Sequence, residues 1–257
     1  MTLEPIIHYL ETHYPESTAV PSDIGKIGLA VGSLKEPLKK ILLALDITSE
    51  VVDEAIALRA NLIITHHPFL YQPVSHLLFD EPKTQIIEKL LANRISCYSI
   101  HTNFDLAPNG INDTIAIHCG LSQIEGEEGS FLRMGMIQTM QLKEYAQQVK
   151  KGLGLTGVRY IGPDNQLIRK VGIVGGSGGD LAYLQEAITK NCDCFITGEV
   201  KFHVALAAKA HSFALIEVSH GVESLAMSSL LNDLNANFSL KNQIFVTKTE
   251  QDPFKSI

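Results

Sequence analysis

The chain has 257 residues, enough for one large domain or for two smaller domains that each bury a core. Its net charge of −7 and its scattered Lys and Arg residues give no basic footprint for nucleic acid or an anionic membrane. No apolar run approaches the roughly 18 residues that span a membrane, and the first residues lack the pattern of a signal peptide. We therefore expect a cytoplasmic protein without membrane or nucleic-acid partners.

Strand and helix patterns alternate in the first half of the chain. Short apolar runs next to turn signals predict strands over residues 40–48, 61–67 and 96–105. A helical pattern follows each of these strands, and the acidic first turn after Ser49 is typical of a helix start. This order predicts an α/β fold with a mostly parallel, doubly wound sheet.

The acidic stretch EGEEG at residues 125–129 ends this alternation. After it the rhythm changes, and we predict that residues 126–170 form a smaller inserted α+β lobe. The doubly wound pattern then resumes, with strands predicted over residues 170–174, 192–197, 213–219 and 238–246 and a long helix over residues 220–235. The predicted metal-binding lobe combines residues 1–125 with residues 171–257.

Histidines and carboxylates gather at or just beyond the ends of predicted strands. The residues that share this placement are Asp46, His66, His67, His101, Asp105, His220 and Glu223. The carboxyl edge of the sheet is where ligands bind in open α/β folds. Imidazole and carboxylate groups that converge there indicate a metal site.

The spacing of these residues favours two metal ions over one. His66 and His67 are adjacent, and neighbouring residues on a strand point to opposite faces, so each can serve one of two ions that lie side by side. His220 and Glu223 lie three positions apart at a predicted helix start, which puts both on one face. Two ions about 3.5–4 Å apart, completed by water, fit this set of ligands.

His101 and Asp105 are separated by four positions, which on an extended strand is a distance of about 13 Å. Both reach one site only if the chain turns between them. We therefore rank Asp105 as a metal ligand and leave three roles open for His101, namely ligand, partner of a ligand, or proton shuttle. Asp46 is the other candidate for proton transfer.

A glycine-rich turn follows the strand predicted at residues 170–174. It contains Gly175, Gly176, Ser177 and Gly178, and it matches neither a P-loop nor a dinucleotide-binding fingerprint. One interpretation is a tight strand-to-helix turn that needs a positive φ angle. The other is a loop that cradles a phosphate or another anion.

Ordered motifs along nearly the whole chain resemble the Nif-three-like (NGG-interacting-factor-three-like) family. The motifs are THHPF at residues 65–69, HTNFDLAPNGIND at 101–113, GGSGGD at 175–180, CFITGEVKFH at 194–203 and SHGVE at 219–223. Bacterial members of this family are often labelled GTP cyclohydrolase 1 type 2 homologues.

The resemblance implies a dinuclear metal centre whose ligands are His66, His67, Asp105, His220 and Glu223. It also implies a cytosolic homohexameric toroid whose metal sites face an internal cavity. Many members place the late Glu four residues after the His, whereas the spacing here is three. Imidazole and carboxylate ligands suit zinc, iron, manganese or nickel, so the identity of the two divalent ions stays open.

Two classes of function fit these observations. The first is a metal-dependent hydrolase that acts on a nucleotide or phosphoester, with His101 or Asp46 moving the proton. The second is a protein without turnover that binds or delivers metal, or that serves as a scaffold. A general acid or base near the ions that is not itself a ligand would favour the hydrolase.

Overall fold

Two separate β-sheets organise the chain in the computed structural model, which describes residues 1–249 and 252–254. The chain divides into two compact units around these sheets. Unit 1 combines Met1–Ala107 with Met227–Gln251, and unit 2 combines Pro108–Ala226 with Asp252–Ile257. The α/β fold class expected from the sequence is confirmed.

Unit 1 contains the first, five-stranded sheet, in the order β1-β4-β3-β2-β11. Its strands are β1 (Gly28–Val31), β2 (Ile41–Ala44), β3 (Leu62–Thr65), β4 (Ser96–Ser99) and β11 (Ile244–Val246). All neighbours pair in parallel except β1, which pairs with β4 antiparallel at the edge. The central strands are short runs that are buried on both faces, as parallel strands between helices require.

The helices of unit 1 connect and cover these strands. They are α1 (Glu4–His13), α2 (Ser49–Leu58), α3 (Pro82–Ala92), α4 (Thr102–Leu106) and α9 (Ala226–Phe238). Thr48 caps α2, because its side chain accepts a hydrogen bond from the backbone N–H of Val51. One core cluster packs Val51 and Val52 of α2 and Leu90 of α3 with strand side chains of the sheet.

Unit 2 contains the second, six-stranded sheet, in the order β5-β6-β8-β9-β10-β7. Its strands are β5 (Ser122–Gly126), β6 (Arg133–Gln141), β7 (Arg159–Ile161), β8 (Leu167–Val174), β9 (Cys194–Gly198) and β10 (Ala214–Val218). Strands β8, β9 and β10 are parallel, and the outer pairings are antiparallel. The helices of this unit are α5 (Ile111–His118), α6 (Leu142–Gly152), α7 (Leu181–Thr189) and α8 (Phe202–Ala210).

The structure divides the chain differently from the predicted insertion at residues 126–170. Strands β6 and β7 of that segment share a sheet with β8, β9 and β10, which were predicted to belong to the main lobe. Antiparallel pairing of β6 with β8 over Arg133–Gln141 builds this common sheet. The predicted lobe is therefore part of a larger unit with its own hydrophobic core.

Two predicted elements also change at their ends. The strand predicted over residues 96–105 stops at Ser99, and α4 follows it. The helix predicted from residue 220 begins as the 3-10 turn His220–Leu225 and continues as α9. Among the described residues, none of the helices has both the length and the apolar character that crossing a bilayer requires.

Candidate metal centre

His66 and His67 lie just beyond β3, at the carboxyl edge of the first sheet, as predicted. His66 is buried, and its Nδ1 lies 3.0 Å from the carbonyl oxygen of Ile100. His67 is half-buried, and its Nδ1 lies 2.9 Å from Oδ1 of Asp46, which follows β2. Each ring is thus held through Nδ1 by an acceptor at the end of a neighbouring strand.

His101 is held in the same way by a residue that sequence reasoning did not select. Its Nδ1 lies 2.6 Å from Oδ2 of the buried Asp23, and the hydroxyl of Thr102 donates to the same oxygen at 2.6 Å. Burial by itself would raise the pKa of Asp23, but the hydrogen bonds from Thr102 and the charge and hydrogen bond of His101 lower this pKa below its usual value. The carboxylate is therefore the stable form that accepts from His101.

The turn that His101 and Asp105 need in order to share a site is the start of α4. His101 precedes the first residue of this helix, and Asp105 lies one helical turn further on. The buried Asp105 then approaches His66, with 3.6 Å between Oδ1 and Nε2. The strand-based distance between His101 and Asp105 does not apply, because β4 has already ended at Ser99.

Three of the histidines in unit 1, His66, His67 and His101, form one cluster. The ring centroid of His66 lies 5.0 Å from that of His67 and 5.0 Å from that of His101, and the other two centroids are 5.7 Å apart. One nitrogen of each ring lies within 4.8 Å of the others, which is a spacing that suits metal binding. The expectation that His66 and His67 point to opposite faces is wrong, because both follow the last strand residue, Thr65.

His220 and Glu223 form a second pair of candidate ligands, in unit 2. They belong to a 3-10 turn, in which residues three positions apart eclipse one another. The Nε2 atom of His220 accordingly lies 3.1 Å from Oε2 of the buried Glu223. The spacing of three, shorter than in many family members, therefore still brings the imidazole and the carboxylate together.

Glu199 holds His220 as Asp23 holds His101. The Nδ1 atom of His220 lies 2.8 Å from Oε1 of Glu199, which follows β9. Sequence reasoning missed both of these carboxylates. A signal was available for Glu199, which lies in the turn after a strand and within the motif at residues 194–203. Asp23 lies 78 positions from its partner, so no local spacing points to it.

The glycine-rich turn of unit 2 packs against His220 and Glu223. Gly176 has a φ of +55°, and a Cβ atom there would lie 2.2 Å from Oε1 of Glu223. The backbone N–H of Gly175 donates to Oδ1 of the buried Asn112 at 2.7 Å, and that of Gly178 donates to the carbonyl of Gly175. These contacts support the tight-turn interpretation, because the backbone N–H groups of Gly175 and Gly178 already donate to acceptors within the protein. Anion binding by Gly175, Gly176, Ser177 and Gly178 stays a prediction.

The donor groups of each unit, taken separately, are of the kind that binds a divalent metal ion. The Nδ1 atoms of His66, His67, His101 and His220 all face oxygen acceptors, which is how metal-binding histidines are usually oriented. Donation through Nδ1 directs Nε2 to the ligand side, where the carboxylates of Asp105 and Glu223 lie near His66 and His220. Neutral imidazole and carboxylate suit zinc and the other first-row divalent ions.

Comparison with known proteins gives a family and relatives of similar length. The model for Duf34/NIF3 (NGG1p interacting factor 3) matches residues 1–253. A Lactococcus lactis protein named "GTP cyclohydrolase 1 type 2 homolog" is 33% identical over 252 residues, covering 96% of this chain and 96% of that protein. A Clostridium acetobutylicum protein of the same name is 31% identical over 268 residues, covering 99% and 98%.

Solved structures of similar proteins have the same fold. The Bacillus cereus protein related to NIF3 is 25% identical with a TM-score of 0.92, covering 100% of this chain and 99% of that chain. The Staphylococcus aureus protein SA1388 is 28% identical with a TM-score of 0.91 and the same coverage. The likeness therefore extends over both units.

Proposed function

The chain belongs to the Duf34/NIF3 family, and we propose that it is a metal-dependent hydrolase with two divalent ions per subunit. The proposed ligands are His66, His67, Asp105, His220 and Glu223. The observation that carries this proposal is the shared orientation of the histidines, each held through Nδ1 by a carboxylate or a carbonyl oxygen. Such preorganisation costs conformational freedom, and metal binding is its most direct use.

Two divalent ions would supply a water of lowered pKa and a clamp for the attacked and leaving oxygens. The chain's own contribution is the positioning of proton carriers beside that chemistry. Asp23 holds the ring of His101, whose Nε2 can then accept or donate a proton. The names of the relatives add GTP to the phosphoesters and nucleotides that we propose as substrates.

One observation favours the alternative of metal binding without turnover. Asp46, the other candidate base, accepts the hydrogen bond of His67 and so acts as a partner of a ligand. Asp23 has the same role for His101. If His101 is itself a ligand, no separate acid or base remains among these candidates, and a metal-storage or metal-delivery role fits better.

The test pairs metal analysis with a substrate screen. Protein purified without chelator is analysed for metal by mass spectrometry, and its turnover of GTP, cyclic dinucleotides and phosphodiesters is measured with and without Mn²⁺, Fe²⁺ or Zn²⁺. We expect about two ions per chain and turnover that requires metal. Bound metal without any turnover would contradict the hydrolase and support the alternative.

A double variant tests the assignment of His66 and His67 as metal ligands. We expect His66→Ala combined with His67→Ala to abolish bound metal, because the pair supplies two of the clustered imidazoles. The matched control is His8→Ala with His76→Ala, which removes two exposed histidines of the same unit. Unchanged metal content in the first double variant, with circular dichroism confirming its fold, would contradict the site.

A further inference from the structure

A cavity of about 340 Å³ lies in unit 1 directly beside His67. It is lined by Asp46, Ile47, His67, Pro68, Phe69, Pro82, Lys83 and Ile86. Its volume is at the lower end of the range for small-molecule sites, which begins at about 300 Å³. Because His67 and Asp46 belong to the candidate metal centre, the cavity adjoins that centre.

The walls of this cavity divide into an apolar part and one cation. Ile47, Phe69 and Ile86 supply apolar surface, and Phe69 presents an aromatic ring. The ammonium of Lys83 lies 5.7 Å from the centroid of that ring, in the first turn of α3. Within the described part of the chain, Lys83 makes no ion pair with a carboxylate, whereas Lys89 of the same helix pairs with Asp53.

Lys83 therefore brings a positive charge to the lining of this cavity, in a chain whose net charge is −7. The positive end of α3 adds to its field, because Lys83 lies in the first turn of that helix. Lysine binds phosphate as a point charge, and the ring of Phe69 offers a face for stacking. The cavity is therefore bordered by a positive charge, by an apolar wall and by residues of the candidate metal centre.

We propose that this cavity binds an organic phosphate, with its apolar or aromatic body against Phe69 and Ile86 and its anionic group beside Lys83. The proposal rests on the proposed function, since it names the residues that would bind the phosphate and the organic group of that site's substrate. Lys83 is then a specificity-determining residue, and Phe69 selects a ring over a small anion.

The experiment measures binding of phenylphosphonate and of inorganic phosphate to the zinc-loaded protein by isothermal titration calorimetry. Phenylphosphonate has no phosphoester bond that the proposed hydrolase could cleave. Binding is therefore read without turnover, and a failure of the hydrolase proposal does not affect the result. We expect wild type to bind phenylphosphonate more tightly than phosphate, because the cavity also buries the ring.

The decisive variant is Lys83→Met, for which we expect phenylphosphonate affinity to fall about tenfold, since a hydrogen bond to a charged group is lost. Lys83→Arg is expected to restore most of the affinity. The matched control is Lys40→Met: this lysine also lies over an aromatic ring, 5.3 Å from the centroid of Phe245, but it does not line the cavity.

The proposal is overturned if Lys83→Met binds phenylphosphonate within twofold of wild type. An equal loss in Lys40→Met also overturns it, because the effect would then be one of net charge. Bound zinc is measured in every variant, and a loss of zinc in Lys83→Met would contradict a role confined to the organic ligand.

Discussion

Among single residues, Asp23 holds the ring of His101, and replacing Asp23 tests whether the orientation of that ring matters for metal binding. Asp23→Asn keeps the shape of the side chain but removes the charge that holds His101 and Thr102. We expect the free energy of unfolding in urea to fall by about 1–3 kcal/mol, as for a buried charge-assisted hydrogen bond. Metal affinity or metal-dependent activity should fall about 10- to 100-fold, as for other outer partners of metal-binding histidines.

The control for Asp23 is a double-mutant cycle with His101→Ala. If Asp23 acts through His101, then Asp23→Asn has no further effect on metal affinity once the imidazole is absent. Additive losses of metal affinity in the cycle would show that Asp23 acts by another route. A change in unfolding free energy alone, with metal affinity intact, would reduce Asp23 to a structural residue.

The residue types of the site were predictable from the sequence, but their partners were not. His66, His67 and Asp105 follow short buried strands, so their placement at one sheet edge follows from the α/β pattern. The contact of His101 with Asp23 depends on how a loop before β1 packs, which no periodicity encodes. Long-range hydrogen bonds of this kind are set by tertiary packing, and local patterns miss them.

At the scale of elements, the glycine-rich turn is predicted to shape the site through Gly176. In Gly176→Ala the new Cβ would compete for the space of the Glu223 carboxylate, and the residue would keep an unfavourable positive φ. We expect a loss of about 1–2 kcal/mol in unfolding free energy from the backbone strain. Displacement of Glu223 should lower metal affinity as well, measured by competition with a chromogenic chelator.

The matched control for Gly176→Ala is Gly154→Ala. Gly154 also has a positive φ, +67°, but a Cβ atom there would meet nothing within 4 Å. The two variants should lose similar stability, while only Gly176→Ala loses metal affinity. Equal metal affinity in both would mean that Glu223 moves without consequence or is not a ligand.

The elements themselves follow the sequence closely where apolar runs are short and bounded by turns. Strands β2, β3, β9 and β10 lie within their predicted ranges or extend them by one residue at most. The early end of β4 was missed because the apolar pattern continues past it, while the chain turns to begin α4. The 3-10 turn at His220 was missed because a 3-10 turn and an α-helix start share the same sequence signals.

At the scale of the whole molecule, alternation of strands and helices predicts the fold class but not the number of sheets. The strands within residues 170–219 have the same apolar sequence pattern as the strands of the first sheet, because both sets are buried and parallel. What separates them is pairing: β8 joins β6 of the preceding segment, and β11 returns to β2 of the first sheet. Such pairings join residues far apart in sequence, which patterns within short windows do not reveal.

Exposed apolar side chains bear on the hexamer that the family resemblance implies. Phe79 and Phe202 are 84% and 80% exposed in the single chain, and Leu77 and Leu206 lie near them in sequence. Contiguous exposed apolar patches commonly mark surfaces that assembly covers, and Leu77, Leu78 and Phe79 form a consecutive exposed run. We expect sedimentation velocity at micromolar concentration to show a particle of six times the 28.2 kDa chain mass.

A double variant tests whether these side chains lie in the interfaces of the hexamer. Phe79→Ser combined with Phe202→Ser should shift the sedimenting particle towards smaller species, while secondary structure, read by circular dichroism, is retained. A wild-type monomer would contradict the implied hexamer, and an unchanged assembly in the double variant would show that these side chains lie outside its interfaces.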